Sequence, residues 1–470
     1  MSTSTSEPGA IAGLPLGAEV RTDGDATGLS VAIVGGGIVG IALALGLVER
    51  GVRVSVYERA QELPEIGVGF AFNGAARKSM ARLSPLVIAA LERVANENEQ
   101  AYDNYWDGYT STAEDDESST ASKRGKLLFR MPNSNMAWWS CLRSQFLNEM
   151  LQALPPGTVT FGKELDSYND PFDTSDPVRL RFTDGTTAAA NVLIGSDGLR
   201  SRVRQQLFAT SHPEVCNPTY THKTCYRAVI PMAAAESAMG LSKPHNHCMH
   251  TGPRAHVLSY PIAQHKLVNV VLFVTHDEPW VDGTGDEAIS VPRMTRPGDK
   301  KVLQNRLADW RPEVRNLVAQ LPDAPTAWGI FDTAEHPVPF YAAGRVGLVG
   351  DAAHASSPHH GAGAGFGVED ALALAVALGM ATEKKQSVAA ALQAFNDVRY
   401  DRTQWLIRSS KETGDIYEWK HFGVGGDPVK IRAELEGRQK TIWDYDVDAM
   451  AEEVKTRYEA RVTSETTAHQ

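Results

Sequence analysis

Gly35, Gly37 and Gly40 fall in the order G-x-G-x-x-G, and Glu58 follows 18 residues after Gly40. That spacing suits a dinucleotide. The first glycine permits a tight turn, the second lets a pyrophosphate approach the backbone, and the third allows close helix–strand packing. The acid accepts hydrogen bonds from ribose hydroxyls. Far along the chain, Arg345–Ala371 reads RVGLVGDAAHASSPHHGAGAGFGVEDA. Gly350-Asp351 sets a carboxylate at the end of an apolar run. Gly361, Gly363, Gly365 and Gly367 follow, and their bare backbone can lie against a flat ring or a phosphate. The first motif alone leaves FAD and NAD equally open. The second favours a flavin held at its two ends.

The flanking patterns supply elements to position these groups. Val31–Val34 predicts a strand, Ile38–Arg50 a helix stopped by Gly51, and Val52–Tyr57 a second strand, which together form a β-α-β unit. A helix start attracts phosphate. Helices are expected over Gly74–Leu83, Pro85–Asn98 and Cys141–Leu154. Val178–Phe182, a turn at Asp184-Gly185 and Thr187–Ile194 predict a hairpin. Thr224–Met232, Ala255–Ile262 and Lys266–Thr275 read as strands rich in β-branched and aromatic residues. Arg345–Val349 predicts a buried strand. Gly367–Met380, apolar on nearly all sides, predicts a core helix.

The chain has 470 residues and a formal net charge of −11, which disfavours nucleic acid as a partner. Cys141, Cys216, Cys225 and Cys248 show no CxxC pairing, so neither a disulfide framework nor a metal site is expected. That usage fits a reducing compartment, and the expected location is the cytoplasm. Val31–Val48 has the length of a membrane span, but its glycines and the adjacent Glu49 and Arg50 favour strand, turn and helix, so no membrane span is expected. His222, His245, His247 and His250 lack metal-ligand spacing and read as structural or surface residues. Trp138-Trp139 reads as core packing.

In order, Gly35–Gly40 with Glu58, then Gly195-Ser196-Asp197-Gly198, then Gly350-Asp351-Ala352-Ala353-His354 with Pro358–Gly365, resemble the three motifs of FAD-dependent aromatic hydroxylases. The resemblance runs from about Val31 to Tyr400 and is greatest to salicylate-hydroxylase-like and fungal phenol hydroxylases. It implies a mixed α/β fold: a Rossmann-like FAD-binding domain, an inserted β-sheet substrate domain and a helical C-terminal region. The expected divisions are a disordered extension over 1–30, FAD-binding segments over 31–214 and 341–400, a substrate domain over 215–340 and the helical end over 401–470. A polar stretch over 109–126 reads as a mobile loop.

The resemblance also implies roles. Glu58 would meet the FAD ribose, and Gly69 or Ala71 would lie beside the dinucleotide. Arg143 would meet its phosphate or ribose. Asp197 belongs to a motif tied to both FAD and nicotinamide binding. Asp351 would meet the ribityl or pyrophosphate part, and Gly363 and Ala364 the isoalloxazine ring. The loop has His359-His360 where many members carry a Gln-containing glycine run, and these histidines read either as conformational or as groups that orient substrate or flavin. The implied reaction consumes NADPH or NADH and O2. It hydroxylates a phenolic or aromatic-acid substrate through a flavin C4a-hydroperoxide, with decarboxylating and dearomatising variants open. An NAD(P)-dependent dehydrogenase is the alternative outside the class. The expected assembly is a monomer or homodimer.

Two residues of the β-rich stretch are candidates to act on the substrate. Arg227 lies inside a predicted strand, facing away from Tyr226 and Ala228. Tyr260 shares a face with His256 and Leu258. By pattern alone, Arg227 is either a surface cation or a site cation, and Tyr260 either a core aromatic or a site hydroxyl. Both are similar in position to substrate-positioning residues of the fungal phenol hydroxylases.

Overall fold

Apolar Ser30–Val34 leads into the helix Ile38–Glu49 through Gly35, whose φ of +109° turns the chain sharply. In the computed structural model, which describes residues 28–62, 69–97, 102–109, 126–132, 138–171, 176–281, 293–384 and 387–468, this turn sits at the edge of a six-stranded sheet. The strand order is 342–343, 346–348, 192–195, 30–34, 53–57 and 159–160. All neighbours pair in parallel except the first two. Parallel central strands are buried on both faces. Val31, Ile33, Val192, Leu193 and Val346 are accordingly almost wholly inaccessible. The helix Gly363–Lys384 packs against Ile38–Glu49 and is buried along most of its length. It is long and apolar enough to cross a membrane, but 83% of that stretch is buried inside the protein.

The second large sheet has eight strands, ordered 295–297, 326–332, 219–231, 267–275, 255–262, 248–252, 102–107 and 126–132. One face covers a core with the helices Met232–Met239, Lys300–Arg306 and Pro312–Ala319, and Tyr226 points into it. The other face looks toward the nucleotide-binding unit. A small sheet of Gly69–Phe72, Trp139–Leu142 and Asn96–Glu97 bridges the two, with Ser140 Oγ donating to Pro261 O at 3.0 Å.

Several expectations need correction. The helix expected over Cys141–Leu154 is Arg143–Gln152, because Cys141 and Leu142 pair as a strand with Phe70 and Gly69. The helix from Pro85 stops at Val94, before the short strand Asn96–Glu97. Thr187–Ile194 divides: Thr187–Ala190 completes the hairpin, while Val192–Gly195 enters the parallel sheet beside Val31–Val34. The core helix begins at Gly363, four residues before the expected Gly367. Two strands of the eight-stranded sheet come from 102–132, well ahead of residue 215, so that sheet is not built from 215–340 alone. The helix Val388–Tyr417 runs unbroken across residue 400. Residues 1–27 of the expected extension and 110–125 of the expected loop lie outside the described residues.

Candidate active site

The turn after the first strand shows why glycine is needed there. A Cβ on Gly35 would stand 2.4 Å from Ser196 O, and one on Gly40 would stand 2.1 Å from Gly35 O. Strand, helix and the Gly195–Gly198 segment therefore meet through bare backbone. Gly37 caps the helix without any side-chain hydrogen bond to the first amides. A Cβ at Gly37 would meet nothing nearer than Arg143 Nη2, at 3.9 Å. The free amides of the helix start and the Arg143 guanidinium thus share one concavity, a ready anion site.

Glu58 closes the far side. Its Oε2 accepts from Gly36 N at 2.7 Å and its Oε1 from Ala60 N at 2.8 Å, which fixes the carboxylate and leaves lone pairs for hydroxyl donors. Burial lowers the Arg143 pKa, and Glu58 opposes that. These groups line a cavity of about 820 Å³ together with Asp197, Arg200 and Lys163. Asp197 is engaged differently from the other candidates. Its carboxylate accepts from Ser201 Oγ at 2.5 Å, Arg202 N at 2.6 Å and Val203 N at 3.2 Å, capping the helix Arg202–Phe208. Burial pushes its pKa up against those bonds.

A second cavity of about 310 Å³ adjoins the first, and Phe70 and Arg227 line both. Gly69, Ala71, Asp351, Gly363 and Ala364 lie on its wall, as does Tyr260. Gly363 and Ala364 start the core helix, so a second helix N-terminus opens here. Asp351 is open to the cavity yet surrounded by protein, and burial raises its pKa against the pull of His354 and Arg204. Its turn is held from behind. Asp370 Oδ2 accepts from Gly350 N at 3.0 Å and lies 2.5 Å from His354 Nε2, while Arg399 Nε donates to Asp370 Oδ1 at 2.8 Å.

The eight-stranded sheet forms the facing wall, and its register brings distant residues into rows. Arg227, Val271, Leu258, Met249 and Tyr105 follow one another across five strands. Tyr260 pairs with Asn269 in the next row, on the same face. Arg227 is half-buried. Its Nε donates to Cys225 Sγ at 3.4 Å, its guanidinium carbon lies 5.7 Å from the Trp328 ring centre, and no carboxylate pairs with it among the described residues. Tyr260 is buried, and burial pushes its phenol up to about 12 against the opposing influence of Arg227 and Asn269. Arg227 and Tyr260 thus both line the second cavity, within one electrostatic neighbourhood.

Sequence reasoning missed several wall residues. Trp138 is core as expected, packed with Phe366, Leu406 and Trp443, but it also lines the second cavity and donates Nε1 to Asp103 Oδ2 at 3.1 Å. His247, read as structural or surface, lies between the Trp138 and Tyr260 rings at 6.1 and 5.9 Å. Tyr417, Leu435 and Trp443 come from the C-terminal helices. Period and spacing do not mark these positions, because only the cross-strand register and the return of the last helices bring them together. His360 is tied to the helix Val388–Tyr417, with Nε2 at 2.8 Å from Ser409 Oγ and 3.1 Å from Thr413 Oγ1. Burial and then Arg438 hold its pKa down to about 3.

The two helix starts, the fixed Glu58 carboxylate and the joined cavities make a donor set that fits FAD laid from end to end. Residues 28–410 match a family model described as FAD binding domain. The chain is 99% identical to the FAD-dependent monooxygenase SAT7 of Stachybotrys chartarum over the full length of both. It is 39% identical to the salicylate hydroxylase asL1 of Sarocladium schorii, covering 92% of each chain. Among solved structures, a salicylate hydroxylase in complex with substrate matches with a TM-score of 0.77 and 29% identity, over 92% of this chain and 98% of that one.

Proposed function

The chain belongs to the FAD binding domain family as an FAD-dependent monooxygenase of salicylate-hydroxylase type, and from that premise we propose that it uses NAD(P)H and O2 to hydroxylate a phenolic or aromatic-acid substrate. In this reading Gly35, Gly37, Gly40, Arg143 and Glu58 hold the adenosine and pyrophosphate half of FAD. Gly69, Ala71, Asp351, Gly363 and Ala364 hold the ribityl chain and ring, and Asp197 shapes the cleft by capping the helix beside it. Bound FAD, once reduced, supplies the activation of O2 and the oxygen atom delivered to the ring carbon. NAD(P)H visits transiently, because the sequence carries a single G-x-G-x-x-G signature.

One observation carries the substrate reading: a guanidinium with no carboxylate partner among the described residues, Arg227, stands where the two cavities meet. An electron-rich phenolate is the better nucleophile toward electrophilic oxygen, and a desolvated cation stabilises it far more than water would. Tyr260 stays protonated at neutral pH, since burial pushes its phenol up to about 12, and it offers a hydrogen-bond donor to the same oxygen. The aromatic wall of Phe70, Tyr105, Phe273 and Trp443 excludes water and fits a flat ring.

The test begins with colour. Purified protein should show an oxidised-flavin spectrum, and a phenol panel should raise NADPH or NADH oxidation and give product with one oxygen from labelled O2. Product mass separates plain hydroxylation from loss of a carboxyl group. A protein that takes up no added FAD would overturn the reading.

A further inference from the structure

Arg227 and Cys225 lie two apart on the strand Thr219–Pro231, so both side chains leave it on the face that lines the second cavity. The guanidinium does not stand straight out from that strand. It leans back along it, donating Nε to Cys225 Sγ at 3.4 Å and setting its carbon 5.7 Å from the Trp328 ring centre. Trp328 is the cross-strand neighbour of Cys225, so thiol and indole form one seat for the cation. Cys225 is fully buried and packed with Val271, Phe273 and Ile330, which fixes the sulfur. Held in this seat, the guanidinium lines both cavities at their junction.

The seat holds Arg227 without cancelling its charge. Burial pushes the Cys225 thiol up against the pull of Arg227, so at neutral pH it is a neutral thiol. Sulfur is also a weak acceptor. A carboxylate in its place would form an ion pair and quench the cation. Stability alone does not favour the arrangement, because a partly desolvated cation with only neutral partners is costly. It suits an anion that arrives with the ligand.

We propose that Cys225 is a positioning residue that acts through Arg227, holding the guanidinium in place and fully charged for the phenolate oxygen of the substrate. The proposal rests on the phenol-hydroxylating reading and adds the group that sets its cation. The titratable groups that act on Arg227 are Cys225 beside it and Tyr260 on the strand Ala255–Ile262. Tyr260 is protonated at neutral pH, since burial pushes its phenol up to about 12. Arg227 therefore supplies the charge that ionises the substrate, and Cys225 decides where that charge stands.

The experiment compares Cys225→Ser with Cys225→Ala. The two replacements are nearly the same size and leave the same small void, but only serine keeps an acceptor for Arg227. FAD-loaded enzyme without NAD(P)H is titrated with a phenol that stimulates NAD(P)H oxidation in the wild type. The phenolate's own absorbance gives the ionised fraction of bound phenol at each pH, and product formation gives kcat/KM. In Cys225→Ala the pKa of bound phenol should rise by about 0.5–1 unit, and kcat/KM below the phenol's own pKa should fall about 3- to 10-fold, with flavin content unchanged. Cys225→Ser should restore both. In an Arg227→Met background, Cys225→Ala should change kcat/KM no further, since the two residues act as one. If Cys225→Ala holds no flavin, Cys225→Val, which also lacks an acceptor, takes its place. Equal losses in the serine and alanine variants, or a loss that persists undiminished beside Arg227→Met, would assign Cys225 to packing and overturn the proposal. Wild-type ionisation of phenol bound to Cys225→Ala would overturn it too. A wild-type enzyme that binds no phenol would overturn the phenol reading, and this proposal with it.

Discussion

Replacing Arg227 by Met separates folding from chemistry at one position. Arg227 is half-buried with no carboxylate partner among the described residues, and its side-chain hydrogen bond goes to a thiol. A desolvated cation without a counter-ion adds little to stability, and a Met side chain fills similar volume. The variant should therefore keep its flavin and its unfolding midpoint. Loss of one charge-assisted bond to a bound phenolate costs about 1.5–3 kcal/mol. At about 1.36 kcal/mol per factor of ten, kcat/KM should fall about 10- to 150-fold. The pH profile carries the stronger signature. If Arg227 acts by lowering the phenol's pKa, the deficit is largest in acid and shrinks as pH rises past the phenol's own pKa, where substrate arrives as phenolate. Arg227→Lys should recover part of the loss. Oxygen-labelled product formation across pH, beside flavin content and thermal unfolding, makes the measurement. A deficit constant with pH, or one that tracks lost flavin, would refute the assignment.

Other sites give independent checks. Glu58→Gln keeps a side chain that can accept one of the Gly36 and Ala60 amides but removes the charge, so FAD affinity measured by fluorescence titration should weaken about 10-fold or more. In Gly69→Ala the new Cβ would stand 2.7 Å from Tyr260 Oη; flavin should remain bound while product formation falls about 10- to 100-fold through displacement of that hydroxyl. His360 has a folded pKa of about 3, below its unfolded value near 6.5. Its contribution is therefore present above about pH 6.5 and lost as pH falls toward 3. His360→Gln should flatten the decline of unfolding free energy by up to about 1.4 kcal/mol per pH unit in that window, read from urea unfolding at several pH values. Equal slopes in both proteins would contradict the buried neutral imidazole.

The nucleotide half of the protein was legible because its constraints are local. Gly35, Gly40 and Glu58 are dictated by one turn and the two strands beside it, so linear spacing carries their geometry. Asp351 and the Gly361–Gly367 run were legible for the same reason: a strand end and a helix start fix them within a few residues. Asp197 shows the limit of such reading, because the motif marks its position but not its work. Its three accepted hydrogen bonds, visible only in three dimensions, show it capping a helix at the wall of the nucleotide cavity.

The substrate half is set by register, which spacing does not encode. Arg227 drew notice because a charge interrupts an apolar strand, an anomaly a single strand can show, but for it and for Tyr260 pattern left core, surface and site open and the resemblance made them candidates; the register sets both on the cavity wall. His247, Trp138 and Asp103 carry no such anomaly, and they become wall residues only when the strand Tyr102–Asp107 joins the edge of a sheet built mainly from residues beyond 215. His359 makes the same point more sharply. In the sequence it is one of two adjacent histidines in a glycine-rich loop, and both read alike. Folding separates them. His360 turns to Ser409 and Thr413, whereas His359 lines the cavity beside His256, with no hydrogen-bond partner among the described residues. Two identical neighbours in sequence thus end in different surroundings, because the helix Val388–Tyr417 sets the hydroxyls of Ser409 and Thr413 against one of them and Gly414 against the other.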